Sequence, residues 1–215
     1  MPTTTFHNLP ELKKNKILSI ATDLFIDYKY EELNIRQMAR EMEISIGSFY
    51  KYFDDKDDLY LHLLILTEKK VLEAELTKRG TILKDDNYIP ISEILSEKEI
   101  SLNNTWYDLP MDVMRKFYFG PYAKELNHLA FEDFLNYHKQ GKLKDNLDID
   151  FVYFIYITVM FNIQIYFREN NIKDISEKLR IKRSFYGTIF LNGILNSDDP
   201  SNLLQKDIIT GNSLD

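Results

Sequence analysis

The sequence contains no cysteine, and this absence excludes a disulfide framework and any metal site built on thiolates. Glycine and proline are scarce, with seven and six residues among 215, and no run alternates apolar and polar residues as a half-buried strand would. Hydrophobic residues make up 44% of the chain, which is ample for a core. We therefore predict a soluble, globular, all-helical (all-α) protein.

The sequence also lacks the short motifs that mark common enzyme sites. It has no phosphate-binding P-loop, no G-x-G-x-x-G, no H-E-x-x-H and no G-x-S-x-G. Glu125 and His128 form one Glu-x-x-His pair, which is half of a ferritin-like di-iron site, and the other histidines supply no second copy. We predict a protein that is not an enzyme and has no cofactor. A helical bundle that binds metal or haem through Glu125 and His128 is the alternative.

No N-terminal segment has the basic-then-apolar order of a signal peptide, so we predict a cytoplasmic location. Residues 151–167 carry no charge, which raises the question of a membrane span. This run is at the short end of the roughly 17–25 residues that a span needs. It also contains Thr158, Asn162 and Gln164. We predict a buried helix here and no membrane partner.

The most informative segment runs from Asn34 to Lys56. Asn34 is placed as an N-cap, and Ser45 is placed to cap a second helix after a break at Glu43. Between the caps, apolar residues recur at helical spacing: Ile35, Met38, Ala39 and Met42. The pattern predicts two short helices joined by a tight turn.

The second of these helices has two faces of different chemistry. At about 100° per residue, Phe49 and Phe53 share one face, and small or polar residues share the opposite one. Tyr50 and Tyr52 fall on the flanks, where their hydroxyl groups can reach phosphates. Lys56 follows at the start of the next helix, where its charge and the helix N-terminus favour a phosphate oxygen. This is typical of a DNA-recognition helix, although a plain helical hairpin has the same apolar pattern.

Upstream, an amphipathic helix that begins near Pro10 supplies the third wall of a small core. Over roughly residues 13–64, the chain resembles the DNA-binding domain of the TetR family of bacterial regulators. The matching residues lie in three helices and at the entry to a fourth: Ile17, Ala21, Leu24, Phe25, Tyr30, Ile35, Met38, Ala39, residues 44–53 and residues 56–59. The family usually has glycine where Lys29 and Glu43 stand. A non-glycine residue at positive φ costs about 1 kcal/mol.

The resemblance implies which residues contact double-stranded operator DNA. The residues that hold phosphates are Arg36, Ser45, Ser48, Tyr50, Tyr52 and Lys56. The residues that face base edges or their margins are Ile46, Gly47, Ser48 and Lys51. Ile46 stands where the family often has Lys or Arg, and its apolar contact with a thymine methyl favours A·T-rich operators. The net charge is −7, so cations must be concentrated on the DNA face.

The resemblance also divides the chain into two domains. Residues 1–60 would form the helix-turn-helix domain, with the motif at about residues 33–53, and residues 61–215 a helical domain for effector binding and dimerisation. In the family, the last two long helices form a four-helix interface with a second copy. Residues 151–167 and 175–195 correspond to them, and we expect Ile163 and Phe190 at the interface. A homodimer suits a palindromic operator.

Aromatic residues are frequent between Trp106 and Phe167, which predicts a cavity for a small apolar or aromatic effector. The candidate lining consists of Trp106, Phe117, Tyr118, Tyr122, Phe134, Tyr137, Phe154 and Phe161. A packed core accounts equally well for any single one of these residues. The usual behaviour of the family implies a repressor that its effector releases from DNA.

Overall fold

The computed structural model describes residues 2–84 and 89–196. Helices α1 to α5 are Thr4–His7, Glu11–Asp27, Ile35–Glu41, Ile46–Tyr52 and Lys56–Arg79. Helices α6 to α8 are Glu97–Thr105, Met111–Phe119 and Lys124–Lys139. Helices α9 to α11 are Ile149–Glu169, Ile175–Arg183 and Asn192–Ile194. Short 3₁₀ helices lie at Tyr30–Glu32, Ile91–Glu93, Trp106–Asp108 and Pro121–Ala123, and a π-helix spans Ser184–Leu191. Neither described range contains a β-strand, and the all-helical prediction is confirmed.

The chain folds as two compact units. Among the described residues, unit 1 holds residues 2–80 and 89–129, and unit 2 holds residues 81–84 and 130–196. The domain boundary predicted at residue 60 falls inside α5, which belongs entirely to unit 1. Residues 85–88 and 197–215 of the predicted second domain lie outside the described residues.

Side-chain caps start the three helices around the predicted turn. Asn34 Oδ1 accepts from the backbone N–H of Gln37 at 2.9 Å, and Ser45 Oγ accepts from that of Ser48 at 3.0 Å. Asp55 Oδ1 caps α5 in the same way at 2.7 Å. Each such cap stabilises a helix by about 1 kcal/mol. The caps confirm the predicted helix starts.

We call residues 2–64 the head. Its core lies beneath α4, where Phe49 and Phe53 are fully buried with ring centroids 5.6 Å apart. The other walls are apolar side chains of α2, α3 and α5: Ile17, Ala21, Phe25, Met38, Ala39 and Leu59. This is the small helical core that the sequence predicts.

Unit 2 has its own core, built from the second half of α8, from α9 and from the π-helix. Phe134 is fully buried there, with the Tyr153 ring at 5.4 Å and the Phe190 ring at 6.0 Å. Helix α9 is long and apolar enough to cross a membrane, but one such helix is weak evidence for a span. Only 22% of its most apolar stretch is buried within the protein, so the prediction of a buried helix is wrong for the single chain. Its buried side includes Val152, Ile163 and Phe167.

Candidate nucleic-acid interface

Helix α4 turns its aromatic face inward and its polar face outward. Phe49 is fully buried, whereas the neighbouring Tyr50 is 55% exposed. Ile46, Gly47 and Lys51 are also exposed. A helix of seven residues is anchored by this one apolar side, which leaves the opposite side available to a partner.

Polar groups flank the exposed side of α4. The Ser45 and Ser48 hydroxyl oxygens lie 2.9 Å apart, next to the first turn of the helix. Arg36 is exposed on α3. The structure therefore brings most of the predicted DNA contacts onto one helix and its cap, with donors suited to phosphate oxygens.

Two of the side chains predicted to contact phosphates, those of Tyr52 and Lys56, pack against other residues of the head. Tyr52 is only 7% exposed, and Lys13 Nζ lies 5.9 Å from its ring centroid. Lys56 Nζ donates to the carbonyl oxygens of Tyr30 at 2.5 Å and Leu33 at 2.9 Å, and burial lowers its pKa. The same ammonium group lies 4.0 Å from the centroid of the Tyr30 ring, so groups of the head surround it on several sides. The DNA contacts of Tyr52 and Lys56 stay predictions.

Asp57 joins distant parts of unit 1. Its carboxylate accepts hydrogen bonds from the Tyr30 hydroxyl and from the Lys116 ammonium group on α7. The hydrogen bond to Asp57 raises the pKa of Lys116, and burial, followed by the Asp57 contact, raises the pKa of Tyr30. Sequence reasoning missed this network, because no local pattern signals a partner 59 positions away.

The turn between α3 and α4 contains a backbone conformation that favours glycine. Glu43 has φ of 55°, as the glycine usual in the family at this position suggests. The turn closes through the Ile44 N–H, which donates to the Ala39 carbonyl at 2.9 Å. Lys16 Nζ also pairs with Glu43 Oε2 at 2.6 Å, in an exposed contact. The left-handed conformation of a non-glycine residue costs roughly 1–2 kcal/mol.

Replacing Glu43 by Gly is expected to raise the free energy of unfolding of the head by up to about 1 kcal/mol, since glycine adopts positive φ without a steric penalty. The exposed ion pair with Lys16 that is lost contributes little. As a matched control, Arg40→Gly places glycine inside right-handed α3 and should lower stability by about 1 kcal/mol. Denaturant unfolding measures both variants. A Glu43→Gly protein less stable than the wild type would contradict the strain at this turn.

The predicted effector-lining residues fall into two groups. In unit 1, the Trp106 ring lies 4.8 Å from that of Phe117 and 5.7 Å from that of Tyr118. Tyr122, also in unit 1, is half-buried. In unit 2, Phe134 and Tyr137 are buried, Phe161 is half-buried and Phe154 is exposed. The effector pocket stays a prediction.

A cleft of about 410 Å³ lies in unit 1, and its lining includes none of the predicted effector residues. Its walls come from the end of α2, the first 3₁₀ helix and four residues from other elements: Tyr60, Thr105, Asp108 and Leu109. The hydroxyl of Tyr60 already lies 2.6 Å from Thr105 Oγ1, and that of Tyr30 is bonded to Asp57. The polar groups of both tyrosines are thus satisfied within the protein.

The alternative of a metal site at Glu125 and His128 finds no support in the described residues. Glu125 Oε1 pairs with Lys69 Nζ at 2.5 Å. Among residues 2–84 and 89–196, no three His, Asp or Glu side chains lie close enough together to hold a metal ion. No observation therefore supports the alternative.

One match to a known family lies within the head. Residues 17–63 match the family model for bacterial regulatory proteins of the tetR family. Over 66 residues the chain is 45% identical to the HTH-type transcriptional regulator HbdR of Aromatoleum sp. (strain CIB), a match that covers 31% of this chain and 27% of HbdR. The chain thus spans about a quarter of that relative.

Two further matches extend over most of the chain. The HTH-type transcriptional regulator QacR of Staphylococcus aureus (strain Mu50 / ATCC 700699) is 27% identical over 192 residues, which cover 84% of this chain and 97% of QacR. A crystal structure of a TetR family transcriptional regulator from Chloroflexus aurantiacus J-10-FL shares 24% identity and has a TM-score of 0.40. That match covers 91% of this chain and 99% of the other.

Proposed function

We propose that this chain, a helix-turn-helix transcriptional regulator of the TetR type, acts as a homodimeric repressor. It binds a palindromic operator and leaves it when a small apolar or aromatic effector binds. Because its proposed partner is bacterial DNA, the protein would act in the cytoplasm. The observation that supports this function most directly is the outward face of α4, which the buried Phe49 holds in place.

In the proposed complex, α4 lies in the major groove. Ile46, Gly47, Ser48 and Lys51 approach base edges, and the other contacts hold phosphates. The phosphate contacts are made by Arg36, Ser45, Ser48, Tyr50, Tyr52 and Lys56. Because the net charge is −7, only a few cations meet the DNA, and affinity depends on those contacts and on salt.

Selection of DNA by the wild-type protein tests this function. The protein is incubated with duplexes whose centres are randomised, and the bound fraction is amplified over several rounds. We call the winning sequence the selected duplex. We expect an inverted repeat with half-site centres about 34–36 Å apart, or a multiple of that spacing. A pool that shows no enrichment would refute sequence-specific DNA binding.

Replacing Gly47 by Ala is expected to raise the stability of the protein and to lower its affinity for DNA. A Cβ at this position meets only Ser45 Oγ, at an ordinary 3.9 Å, so the fold itself does not require glycine. In a helix, alanine is more stable than glycine by roughly 0.5–1 kcal/mol. The new methyl group points toward the proposed DNA, so affinity for the selected duplex should fall while the melting temperature rises.

The control for this prediction is Gly193→Ala. Gly193 is also helical, and a Cβ added to it would meet nothing within 4 Å, but it lies in unit 2. Its replacement should leave DNA affinity unchanged. Fluorescence anisotropy with the selected duplex measures affinity, and circular dichroism measures melting. Wild-type affinity in the Gly47→Ala protein would show that DNA does not approach this point.

An exposed apolar stripe on unit 2 supports the homodimer. Phe151, Phe154 and Ile155 share one face of α9, and Phe154 is 57% exposed. On the π-helix, Ile189 is 65% exposed next to Phe190, whose ring packs 5.2 Å from that of Tyr156 on α9. We propose that a second copy of the chain covers this stripe.

Ile163 and Phe190, expected from the sequence at the interface, are buried within unit 2 itself. The exposed members of the same two segments are therefore the better candidates for contact with a partner. The apolar character of these segments serves both the core of the unit and the proposed interface.

Unfilled hydrogen-bonding capacity in unit 2 supports an effector with a polar group. Thr158 Oγ1, Gln164 Nε2 and His138 Nδ1 are buried and have no hydrogen-bond partner among residues 2–84 and 89–196. Such atoms are costly unless something bonds to them. We propose that the effector is apolar or aromatic and carries one polar group. A true effector should raise the melting temperature and weaken binding to the selected duplex.

A further inference from the structure

The C-terminal end of the recognition helix α4 is held by a residue far away in the sequence. The backbone N–H of Thr3 donates to the carbonyl oxygen of Tyr52 at 2.9 Å. The Thr3 hydroxyl donates to the carbonyl oxygen of Lys51 at 2.6 Å. One residue thus supplies donors to the last two carbonyl groups of α4.

These two contacts matter because α4 is short. The last four carbonyl groups of any helix have no partner within it, and helices of this length are unstable in isolation. The Phe49 carbonyl, the first of the four, accepts from the Phe53 N–H at 2.8 Å. Thr3 satisfies the third and fourth, which belong to the turn that carries Tyr50 and Lys51 toward the proposed DNA.

Thr3 is itself fixed in position by helix α1. Its hydroxyl oxygen also accepts from the Phe6 N–H at 3.3 Å, so that it caps α1 while it donates to α4. Phe6 is 1% exposed and packs with its ring 4.7 Å from Phe53 and 6.1 Å from His62 on α5. The segment of residues 3–7 therefore ties the end of α4 to α5.

We propose that Thr3 is a positioning residue for DNA recognition, which holds the C-terminal turn of α4 in the orientation that its outward side chains need. Thr3 does not touch DNA in this role. The inference rests on the proposed docking of α4, and it assigns a function to a residue outside the helix-turn-helix motif and outside the matched residues 17–63.

Three single substitutions test the proposal. Thr3→Val removes the hydroxyl group and keeps the branched shape of the side chain. Thr3→Ser keeps the hydroxyl group and should rescue its function. Thr5→Val makes the same chemical change two residues later, at an exposed position of α1. Affinities for the selected duplex and a scrambled duplex are measured at a temperature where every variant is folded, and amide hydrogen exchange is recorded on the free proteins.

Thr3→Val removes the hydrogen bond to the Lys51 carbonyl and also the one from the Phe6 N–H that caps α1. The loss of the first should weaken binding to the selected duplex by about threefold to tenfold. Binding to the scrambled duplex should change less, because the contacts that are weakened are those between α4 and the bases of the selected duplex. Exchange should accelerate at the Tyr52 and Phe53 amides and not in α3. Thr3→Ser and Thr5→Val should match the wild type in all three measurements.

Three results would overturn the proposal. The first is wild-type affinity and exchange in the Thr3→Val protein. The second is an equal loss of affinity in Thr3→Ser. The third is exchange that accelerates evenly through α2 to α5, because that would show a general loss of stability in place of a local clamp. If the wild type selects no duplex, the proposed function fails, but the exchange data still decide whether Thr3 holds α4.

Discussion

The Phe49→Ala protein is expected to have an unfolded head and no measurable affinity for the selected duplex. Phe49 is completely buried, and its ring contacts that of Phe53 at a centroid distance of 5.6 Å. Truncating a buried phenylalanine costs about 3–5 kcal/mol. A whole domain is stable by only about 5–15 kcal/mol. Tyr52, the other buried residue of α4, lies in its last turn, so the first turn of the helix loses its anchor with the Phe49 ring.

Circular dichroism and hydrogen exchange of the head measure this effect. The matched control is Tyr50→Ala, which removes the adjacent aromatic ring from a largely exposed site. Its free energy of unfolding should lie within about 0.5 kcal/mol of the wild-type value, as is usual for surface substitutions. A Phe49→Ala protein with wild-type melting and full protection of α3 and α4 would contradict the described core.

The second large effect is expected at the apolar stripe of unit 2. Phe154→Asp places a carboxylate in the proposed interface between two copies. A charge buried without a partner costs about 3–5 kcal/mol, which raises the dissociation constant of the dimer more than a hundredfold. Because Phe154 is 57% exposed in the single chain, the protomer itself should stay folded. Sedimentation velocity should show monomers where the wild type forms dimers.

Two controls accompany this experiment. Phe154→Leu keeps an apolar side chain and should remain dimeric. Asn136→Asp adds the same charge at an exposed position of α8, a helix that contributes no residue to the stripe, and should not change the sedimentation of the protein. A folded Phe154→Asp protein that still sediments as a dimer would place the interface on another surface.

The parts of the fold that sequence predicts well depend on neighbouring residues. The caps at Asn34 and Ser45 are decided by side chains three positions before the amide that they bind. Helix α7 ends at Phe119, directly before Gly120 and Pro121, which are residues that end helices. The inward position of Phe49 follows from helical periodicity alone.

The parts that sequence misses depend on contacts between distant residues. Thr3 meets α4 across 48 positions, and Lys116 meets Asp57 across 59. In α9, apolar residues lie on nearly every side, so periodicity cannot distinguish the buried Ile163 from the exposed Phe154. Helix α5 continues past residue 60 and ends at Gly80, which has φ of 75°, so the first stretch of unit 1 closes at a local glycine signal.

The most direct test of DNA reading by α4 is a salt titration with the selected and scrambled duplexes. Wild type, Tyr50→Phe and Lys51→Ala are compared. Tyr50→Phe should lose about 0.5–1.5 kcal/mol on both duplexes, as expected for one phosphate hydrogen bond. Lys51→Ala should lose about 1–3 kcal/mol on the selected duplex and much less on the scrambled one, because the proposed docking of α4 brings Lys51 to a base edge. Wild-type affinity in both variants at every salt concentration would contradict the proposed docking of α4.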